Sequence, residues 1–413
     1  MLVNKPRAYD IMDRHGLDGL VAATRQNIYY LSDFWSHTLM VERIFTSFAV
    51  LPRREDAPAA LVMGMTENGR LAEEGTWIEN VVGVTGRASP TAANVSADGD
   101  EKLDPLSVFL IGDQAHLSDR ERIWVTAARS RIDYLERTPA LGLKRALNDA
   151  GLASARLGFD DPRLIGWVNA MGLEKVAGVD ATNIFREIRM VKSADEIALL
   201  RDAAQKNEHA VEQAIGAVRE GATAADLERV YKVDMAKQDG EGIYILFGMV
   251  PGMRQGKVVK GEPFLVDALG MYKRYHGDLG RTIFIGEPDA ETVKRNRAMQ
   301  IGWQTACDMM KPGIKGSDIV KKVMDVMRKE RFPSFNHSVA HTIGLEHTDH
   351  PIPIGPDGLG AVPDFIVEKD MVLNFDMPFQ EYGWGSMHIE DTLRVTDDGF
   401  EPLTSLNTEM RIL

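Results

Sequence analysis

Residues 264–286, FLVDALGMYKRYHGDLGRTIFIG, constrain the fold of this chain more than any other stretch. Two apolar or β-branched runs are joined by the polar YKRY, a pattern that predicts an antiparallel hairpin. A turn centred between Tyr272 and Lys273 puts Asp267 directly opposite Asp278, and facing residues have Cβ atoms about 5 Å apart. Like charges repel at that distance. The hairpin therefore indicates either a cation between the two carboxylates or an exposed hairpin with two solvated aspartates.

The composition is that of an ordinary globular protein and argues against some partners. Of the 413 residues, 44% are hydrophobic and 26% are charged, and the length allows two or three domains. A formal net charge of −13 argues against a nucleic-acid partner bound through a basic surface. The chain has neither an apolar start of secretory type nor a run of about 18 apolar residues, so we expect a cytoplasmic protein without a membrane partner.

The single cysteine, Cys307, excludes an internal disulfide and suits a reducing compartment. It lies within the helical pattern IGWQTACDMM, where we predict a buried small hydrophobic residue and not a nucleophile. The chain also has no G-x-S-x-G motif, so covalent-nucleophile mechanisms are poorly supported.

The first part of the chain, residues 1–178, alternates short apolar runs with amphipathic segments. This alternation predicts an α/β domain with a mostly parallel or mixed sheet. No phosphate-binding glycine loop occurs in it. The runs that we predict as strands lie at residues 18–23, 47–52, 57–64, 79–86, 107–112 and 156–161.

The second part, residues 179–413, has pairs of long helices interleaved with strands. Ser193 and Glu196 form a capping-box pattern that opens a long helix, and Thr223 is the expected N-cap of the next one. A second helix pair follows the hairpin. This order predicts an α+β domain with an antiparallel sheet.

Histidines are concentrated in one segment. Only ten occur in the chain, and four of them fall within HSVAHTIGLEHTDH, residues 337–350. Such a cluster close to acidic residues is typical of a metal or catalytic site, whereas an isolated histidine is more often structural.

Two further acidic residues interrupt apolar strand patterns. Asp376 ends VLNFD and Glu390 lies within SMHIEDTLRVT. An inward acidic group on an apolar strand is costly without a partner. Together with Asp267, Asp278 and one imidazole, these carboxylates suit two hard or borderline divalent ions (Mn, Co, Zn or Fe). Two such ions would activate a bridging water and polarise a carbonyl group.

The order of these motifs resembles the pita-bread metallopeptidases, the M24 family of methionine aminopeptidase, aminopeptidase P, prolidase and creatinase. An Asp is followed eleven residues later by a second Asp, then by HTIGLE, by an Asp-x-Pro at the end of a strand, and by IEDT. IRMVKSADEIALLRDA resembles the helix-entry signature of the family, and residues 1–178 resemble its creatinase/prolidase N-terminal domain. The resemblance implies a pita-bread catalytic domain at residues 179–413 and a homodimer whose N-terminal domain borders the partner's active site.

The resemblance also implies roles for individual residues. It makes Asp267, Asp278 and His341 metal ligands and Glu390 the bridging glutamate. Asp376 stands where the family usually has Glu, which withdraws the oxygen donors by about 1.5 Å, the length of one C–C bond.

Several positions depart from the family pattern. The second histidine of the family, seven residues after the metal ligand, is replaced by Thr348, with His347 and His350 on either side. His388 stands where prolidase-like members often have an arginine that holds the substrate carboxylate. His337 matches a histidine of prolidase-like members. Glu390, His337, His347 and His388 are therefore the expected catalytic and substrate-holding residues.

Three functions remain open from the sequence. The first is metal-dependent hydrolysis of an amide bond in a dipeptide or other small substrate, as in Xaa-Pro dipeptidase or aminopeptidase P. The second is a non-peptidase C–N hydrolase or lyase on the same fold, of the creatinase, ectoine hydrolase or dimethylsulfoniopropionate lyase kind. The third is a catalytically silent binding module.

Overall fold

The chain forms two compact units, Met1–Ile188 and Arg189–Leu413. The computed structural model describes residues 1–41, 44–85, 102–109, 111, 116–248, 253, 256–333, 335, 337–353, 363–405 and 407–413. Among these residues, no helix combines the length and apolar character needed to cross a lipid bilayer.

The first unit is a mixed sheet covered by helices, as the alternation predicts. Its strands are β1 (Gly19–Ala22), β2 (Phe48–Pro52), β3 (Ala60–Gly64), β4 (Asn80–Val84), β5 (Arg156–Phe159) and β6 (Ala177–Asp180). Their order is β4-β3-β2-β1-β5-β6, with β2 antiparallel to both of its neighbours and the other pairs parallel. The helices are α1 (Lys5–His15), α2 (Arg25–Ser32), α3 (His37–Met40), α4 (Asn68–Glu74), α5 (Asp119–Arg131), α6 (Pro139–Asp149), α7 (Arg163–Ala170) and α8 (Thr182–Arg189).

One predicted strand of this unit is wrong. Residues 107–109 form a turn and not the start of a strand, and residues 110 and 112 of the predicted strand lie outside the described residues. The run SVFLIG is apolar, but Asp104 accepts a hydrogen bond from the backbone of Leu106 at 2.8 Å and so favours a local turn.

The second unit is built on an eight-stranded sheet. Its strands are β7 (Glu241–Phe247), β8 (Phe264–Tyr272), β9 (Tyr275–Phe284), β10 (Val339–Thr342), β11 (Val372–Glu381), β12 (Gly385–Val395), β13 (Phe400–Pro402) and β14 (Arg411–Ile412). The order β10-β11-β12-β9-β8-β7 is antiparallel throughout, β13 pairs with β12, and β14 lies parallel to β9. This arrangement confirms the predicted α+β fold with an antiparallel catalytic sheet.

Two helix pairs cover this sheet. α9 (Ala194–Gly216) and α10 (Ala224–Lys237) pack on β7–β9, and α11 (Ala290–Met309) and α12 (Gly316–Lys329) pack on β10–β12. The predicted capping box of Ser193 and Glu196 opens α9, and Thr223 caps α10. Cys307 is buried as predicted, and burial raises the pKa of its thiol to about 12.

The capping residue Glu196 gives a testable pH dependence of stability. Burial raises its pKa from 4.5 to about 7, although Lys192 and the Ser193 backbone oppose this shift. A raised carboxyl pKa stabilises the fold below the unfolded-state pKa, and this contribution is lost as the pH rises through 7. In the wild type, this group should lower the free energy of unfolding by up to about 3 kcal/mol between pH 4.5 and 8. We expect this decrease to be absent in Glu196→Gln.

Urea unfolding of both proteins at several pH values measures this difference. Because the other carboxyl groups titrate in both proteins, only the difference between the two curves reports on Glu196. Parallel curves across that pH range would contradict the prediction.

The hairpin of β8 and β9 forms, but its predicted register is wrong. Tyr272 pairs with Tyr275, so the turn residues are Lys273 and Arg274, with φ of 44° and 74°. Asp267 therefore faces Gly280 and not Asp278. A two-residue hairpin turn of this type requires positive φ at both central residues, a requirement that Asn-Gly would reveal in a sequence and Lys-Arg does not.

Candidate metal centre

The acidic residues converge because the strand register aligns them in one row. Asp267 pairs with Gly280, Gly280 with Glu390, and Glu390 with Asp376 across four neighbouring strands. Paired residues project from the same face of a sheet. Asp278 lies two residues before Gly280 on β9 and so shares that face.

His341 brings an imidazole to this row from β10. Its Nε2 lies 3.6 Å from Asp376 Oδ2, 3.7 Å from Glu390 Oε1 and 4.0 Å from Asp278 Oδ2. The donor atoms of His341, Asp376 and Glu390 all lie within 4.8 Å of one another, as do those of Asp267, His388 and Glu390. Asp278, His341 and His347 form a third such group, so each of the five predicted ligands lies in at least one group that could hold a cation.

The hydrogen bonds of His341 leave Nε2 free to bind a metal. Nδ1 lies 3.1 Å from the carbonyl oxygen of His347 and 3.3 Å from that of Thr342. Because a carbonyl oxygen only accepts, Nδ1 carries the proton. Within the described part of the chain, buried Nε2 has no hydrogen-bond partner, which is the arrangement of a metal-ligating imidazole.

Burial and mutual repulsion raise the pKa of two carboxyl groups of the site, Glu390 and Asp267. Burial and repulsion by Asp278, Asp376 and Asp267 raise the pKa of Glu390 well above its ordinary value. Burial, partly opposed by His388, and the charge of Asp278 raise the pKa of Asp267 to about 6. Full ionisation of this cluster requires nearby positive charge. The orphaned imidazole nitrogen and the oxygen-rich donor set therefore fit hard or borderline divalent ions.

His388 lies in the middle of the carboxylates. Its ring is buried, with Nε2 3.4 Å from Asp376 Oδ1 and 3.7 Å from Glu390 Oε2. Burial disfavours the charged ring, but contact with Asp376 and the charge of Asp267 outweigh it and raise the pKa of His388. The pKa of Asp376 is lowered, since its contacts with His388 and Glu390 outweigh burial.

Gly280 makes room for His388, and this gives a second prediction. A Cβ atom on Gly280 would lie 2.6–2.7 Å from three atoms of the His388 ring.

We expect Gly280→Ala to displace the ring by about 1 Å and to lower kcat/KM roughly 100-fold, a loss that such misplacement can cause. Steady-state kinetics on a variant with unchanged circular dichroism measures this effect. Gly166→Ala, on helix α7, where the backbone is helical and the added Cβ meets no described atom within 4 Å, is the control. Activity within twofold of wild type in Gly280→Ala would argue against the close packing of His388.

The remaining predicted histidines border the same site. His347 is half-exposed, and its Nε2 lies 2.9 Å from Asp278 Oδ2, a contact that raises the pKa of His347. His337 lines a cavity of about 440 Å³ together with Asp267, Asp376 and His388. Phe335, Leu265, Pro378 and Phe379 give this cavity an apolar wall. His350 lies outside the group, because its Nδ1 accepts a hydrogen bond from the Thr342 backbone at 3.3 Å.

Sequence reasoning missed three residues of the site. The buried Asn374 donates to Glu390 Oε1 at 3.0 Å and to the Asp278 carbonyl at 3.2 Å, so it fixes one ligand against another strand. Tyr244 on β7 lies near the carboxylates, which together with burial raise its pKa. Gly280 is the third. The sequence spacing could have identified Asn374, because this residue lies two positions before Asp376 and therefore on the same face of an apolar strand.

Comparisons with known proteins match two parts of the chain to known domain families. Residues 198–397 match the model of metallopeptidase family M24, and residues 6–103 match the creatinase/prolidase N-terminal domain. An Xaa-Pro dipeptidase of Pyrococcus horikoshii is 24% identical over 238 residues, which cover 55% of this chain and 66% of that protein. Fold and donor set define a metallohydrolase with a creatinase-type N-terminal domain. The chain belongs to metallopeptidase family M24.

Solved structures share the fold over almost the whole chain. The Xaa-Pro dipeptidase from Bacillus anthracis superposes with a TM-score of 0.69 at 17% identity and covers 99% of both chains. The N-terminal domain of the FACT complex subunit SPT16 from chickpea has a TM-score of 0.61 at 15% identity and covers 98% of this chain and 96% of its own. At these identities the likeness concerns the fold alone.

Proposed function

We propose that this protein hydrolyses an amide bond in a small substrate, with Xaa-Pro dipeptides as the first substrate class to test. The observation that carries the proposal is the unpartnered Nε2 of His341 among three carboxylates, beside a cavity with an apolar wall. Similarity to Xaa-Pro dipeptidases supports the choice of dipeptides. Catalysis is assigned to the C-terminal domain, residues 179–413, and residues 1–178 to the N-terminal domain.

The residues that would hold two divalent ions, Mn, Co, Zn or Fe, are Asp267, Asp278, His341, Asp376 and Glu390. Such ions supply Lewis-acid chemistry, which polarises the scissile carbonyl and activates the attacking water. Asp376 is shorter than the usual glutamate of the family, but its lowered pKa keeps it ionised and able to bind a cation.

The protein's own groups have separate tasks in this proposal. Glu390, buried in the donor set beside Asp376 and His341, accepts a proton from the attacking water and returns it to the leaving nitrogen. His347, half-exposed beside Asp278, donates a hydrogen bond to the substrate oxygen. His337 and His388 line the cavity and hold the remainder of the substrate.

One observation favours the second candidate, a non-peptidase C–N hydrolase or lyase. His388 lies in the cavity where prolidase-like members often have an arginine that binds the carboxylate of a dipeptide. An imidazole among Asp376 and Glu390 is a weaker carboxylate binder than a guanidinium group, which offers a bidentate contact.

A substrate panel and a metal analysis test the proposal together. The purified chain is analysed for bound metal by mass spectrometry and then assayed with Xaa-Pro dipeptides, guanidino compounds, betaine-like compounds and cyclic amides. Hydrolysis of a dipeptide that stops on chelation and returns with added metal is the expected result. Turnover of only the non-peptide substrates would support the second candidate, and metal-free protein without any turnover would support a binding module.

The proposal extends to assembly and location. We propose that the protein is cytoplasmic and that it forms a homodimer, the latter as the resemblance to the family implies. Light scattering at several concentrations tests the dimer, and a monomer that retains full activity would count against it.

A further inference from the structure

A buried ion cluster lies next to the metal centre and takes no part in the proposed chemistry. Arg189 Nε lies 2.8 Å from Asp349 Oδ1, and Lys192 Nζ lies 2.8 Å from Asp349 Oδ2. The side chains of all three are at most 1% exposed. Burial opposes ionisation of Asp349, but Arg189 and Lys192 outweigh it and lower its pKa. Buried ion pairs are weak evidence for stability, so this cluster requires another explanation.

Asp349 closes the loop that connects the cluster to the metal centre. Its backbone N–H donates to the carbonyl of Thr342 at 2.9 Å, which folds residues 343–348 back onto β10. Within this loop, the carbonyl of His347 accepts from His341 Nδ1 at 3.1 Å, and the His347 ring reaches Asp278. Through these two contacts, the loop affects the tautomer of the proposed ligand His341 and touches the carboxylate of the proposed ligand Asp278.

The loop backbone also packs closely against the ion pair of Lys192 and Asp349. A Cβ atom on Gly344 would lie 2.1 Å from Asp349 Oδ2 and 2.6 Å from Lys192 Nζ, so only glycine fits there. On the other side, the backbone N–H of His276 donates to the Gly344 carbonyl at 3.0 Å, and its Nδ1 lies 2.9 Å from the same oxygen. The loop is therefore fixed between the ion pair and β9.

We propose that Arg189, Lys192 and Asp349 are positioning residues, which hold the His347 carbonyl on Nδ1 of His341 and thereby fix the Nδ1–H tautomer of the ring, with Nε2 directed at the carboxylates for metal binding. The cluster acts through the loop and contacts neither substrate nor metal. This inference builds on the proposed metal site, but its first test needs no metal.

The test measures the tautomer of His341 in metal-free protein. The full chain is labelled with 15N-histidine, and two-bond 1H–15N correlation spectra distinguish a proton on Nδ1 from one on Nε2. The His341 signals are assigned from their loss in His341→Gln. We expect Nδ1–H in the wild type and a mixture of both tautomers in Asp349→Asn.

Metal affinity gives the second measurement. We expect Asp349→Asn to bind Zn²⁺ about 10- to 100-fold more weakly in a competition assay, the range for residues that orient metal ligands. Lys192→Met, which removes the positive charge beside Asp349, should weaken Zn²⁺ binding in the same direction. Glu212→Gln is the matched control, because Glu212 on α9 pairs with Arg411 of β14 and the change removes one negative charge elsewhere in the same unit. It should change neither the tautomer nor the affinity.

An unchanged His341 tautomer in folded Asp349→Asn would overturn the inference, whatever its metal affinity. If Asp349→Asn does not fold, the double variant Asp349→Asn/Lys192→Met removes one buried charge of each sign and faces the same criterion. If wild type binds no metal, the proposed function fails, but the tautomer experiment still decides the inference.

Discussion

Asp278→Ala is expected to lose at least one metal ion per chain and at least about 100-fold in kcat/KM. Residues that only orient a metal ligand already cost 10- to 100-fold in metal affinity or activity, so a direct ligand should reach the upper end of that range. Asp278 is 1% exposed, and its Oδ2 lies 4.0 Å from His341 Nε2 and 2.9 Å from His347 Nε2. Its removal deletes one charge at the centre of the donor set. Mass spectrometry of metal content, beside steady-state kinetics, measures both losses.

The control variants separate ligand loss from unfolding. Asp278→Asn keeps the volume and one oxygen but removes the charge, so it should bind metal more weakly than wild type and better than Asp278→Ala. Asp370→Asn removes an equal charge from an ion pair with Arg394 and should retain metal. Full metal content in Asp278→Ala would mean that Asp278 is not a ligand.

Glu390→Gln is expected to lower kcat by about 10²- to 10⁴-fold, the usual contribution of a general acid or base. The raised pKa of Glu390 follows from burial and the repulsion of three aspartates, and Gln keeps the hydrogen bond that Asn374 donates to Oε1. Since His337 and the apolar wall of the cavity are unchanged, KM should change much less than kcat. Kinetics with the best substrate of the panel measures this separation.

Metal content must be measured on the same sample of Glu390→Gln. Loss of activity in a variant that still holds at least one ion supports proton transfer by Glu390, whereas loss of both ions would reduce its role to that of a ligand. A kcat within threefold of wild type would contradict both roles. Glu381→Gln, at the rim of the same cavity and paired with Arg295, controls for the loss of a negative charge near the substrate.

The fold was accessible from the sequence because its strongest signals are local. Ser193 with Glu196 and Thr223 with Asp226 form capping boxes whose partners are three residues apart. The alternation of strands and helices in the first unit and the interleaved helix pairs of the second likewise need only short windows of sequence. The run SVFLIG misled because its hydrophobicity suits a strand while the preceding Asp104 stabilises a turn.

The register of the hairpin was beyond the reach of sequence reasoning. It depends on the positive φ angles of Lys273 and Arg274, two residues whose side chains do not reveal that conformation. Asp267 pairs with Gly280, two residues beyond the predicted partner Asp278, so the side chains of Asp267 and Asp278 still project from the same face of the sheet. A shift of one residue would have put them on opposite faces. The two carboxylates therefore share a face of the sheet even though the predicted turn is wrong.

The sequence alone determined which residues carry charge on apolar strands, because an inward carboxylate there is costly without a cation. Only the tertiary structure decided how these residues meet. It aligned Asp267, Glu390 and Asp376 in one row through Gly280. It also put Asn374 between Glu390 and Asp278, and it made Asp349 close the loop of residues 343–348. These arrangements depend on contacts between segments far apart in the chain, and neither composition nor spacing encodes the register that brings such segments together.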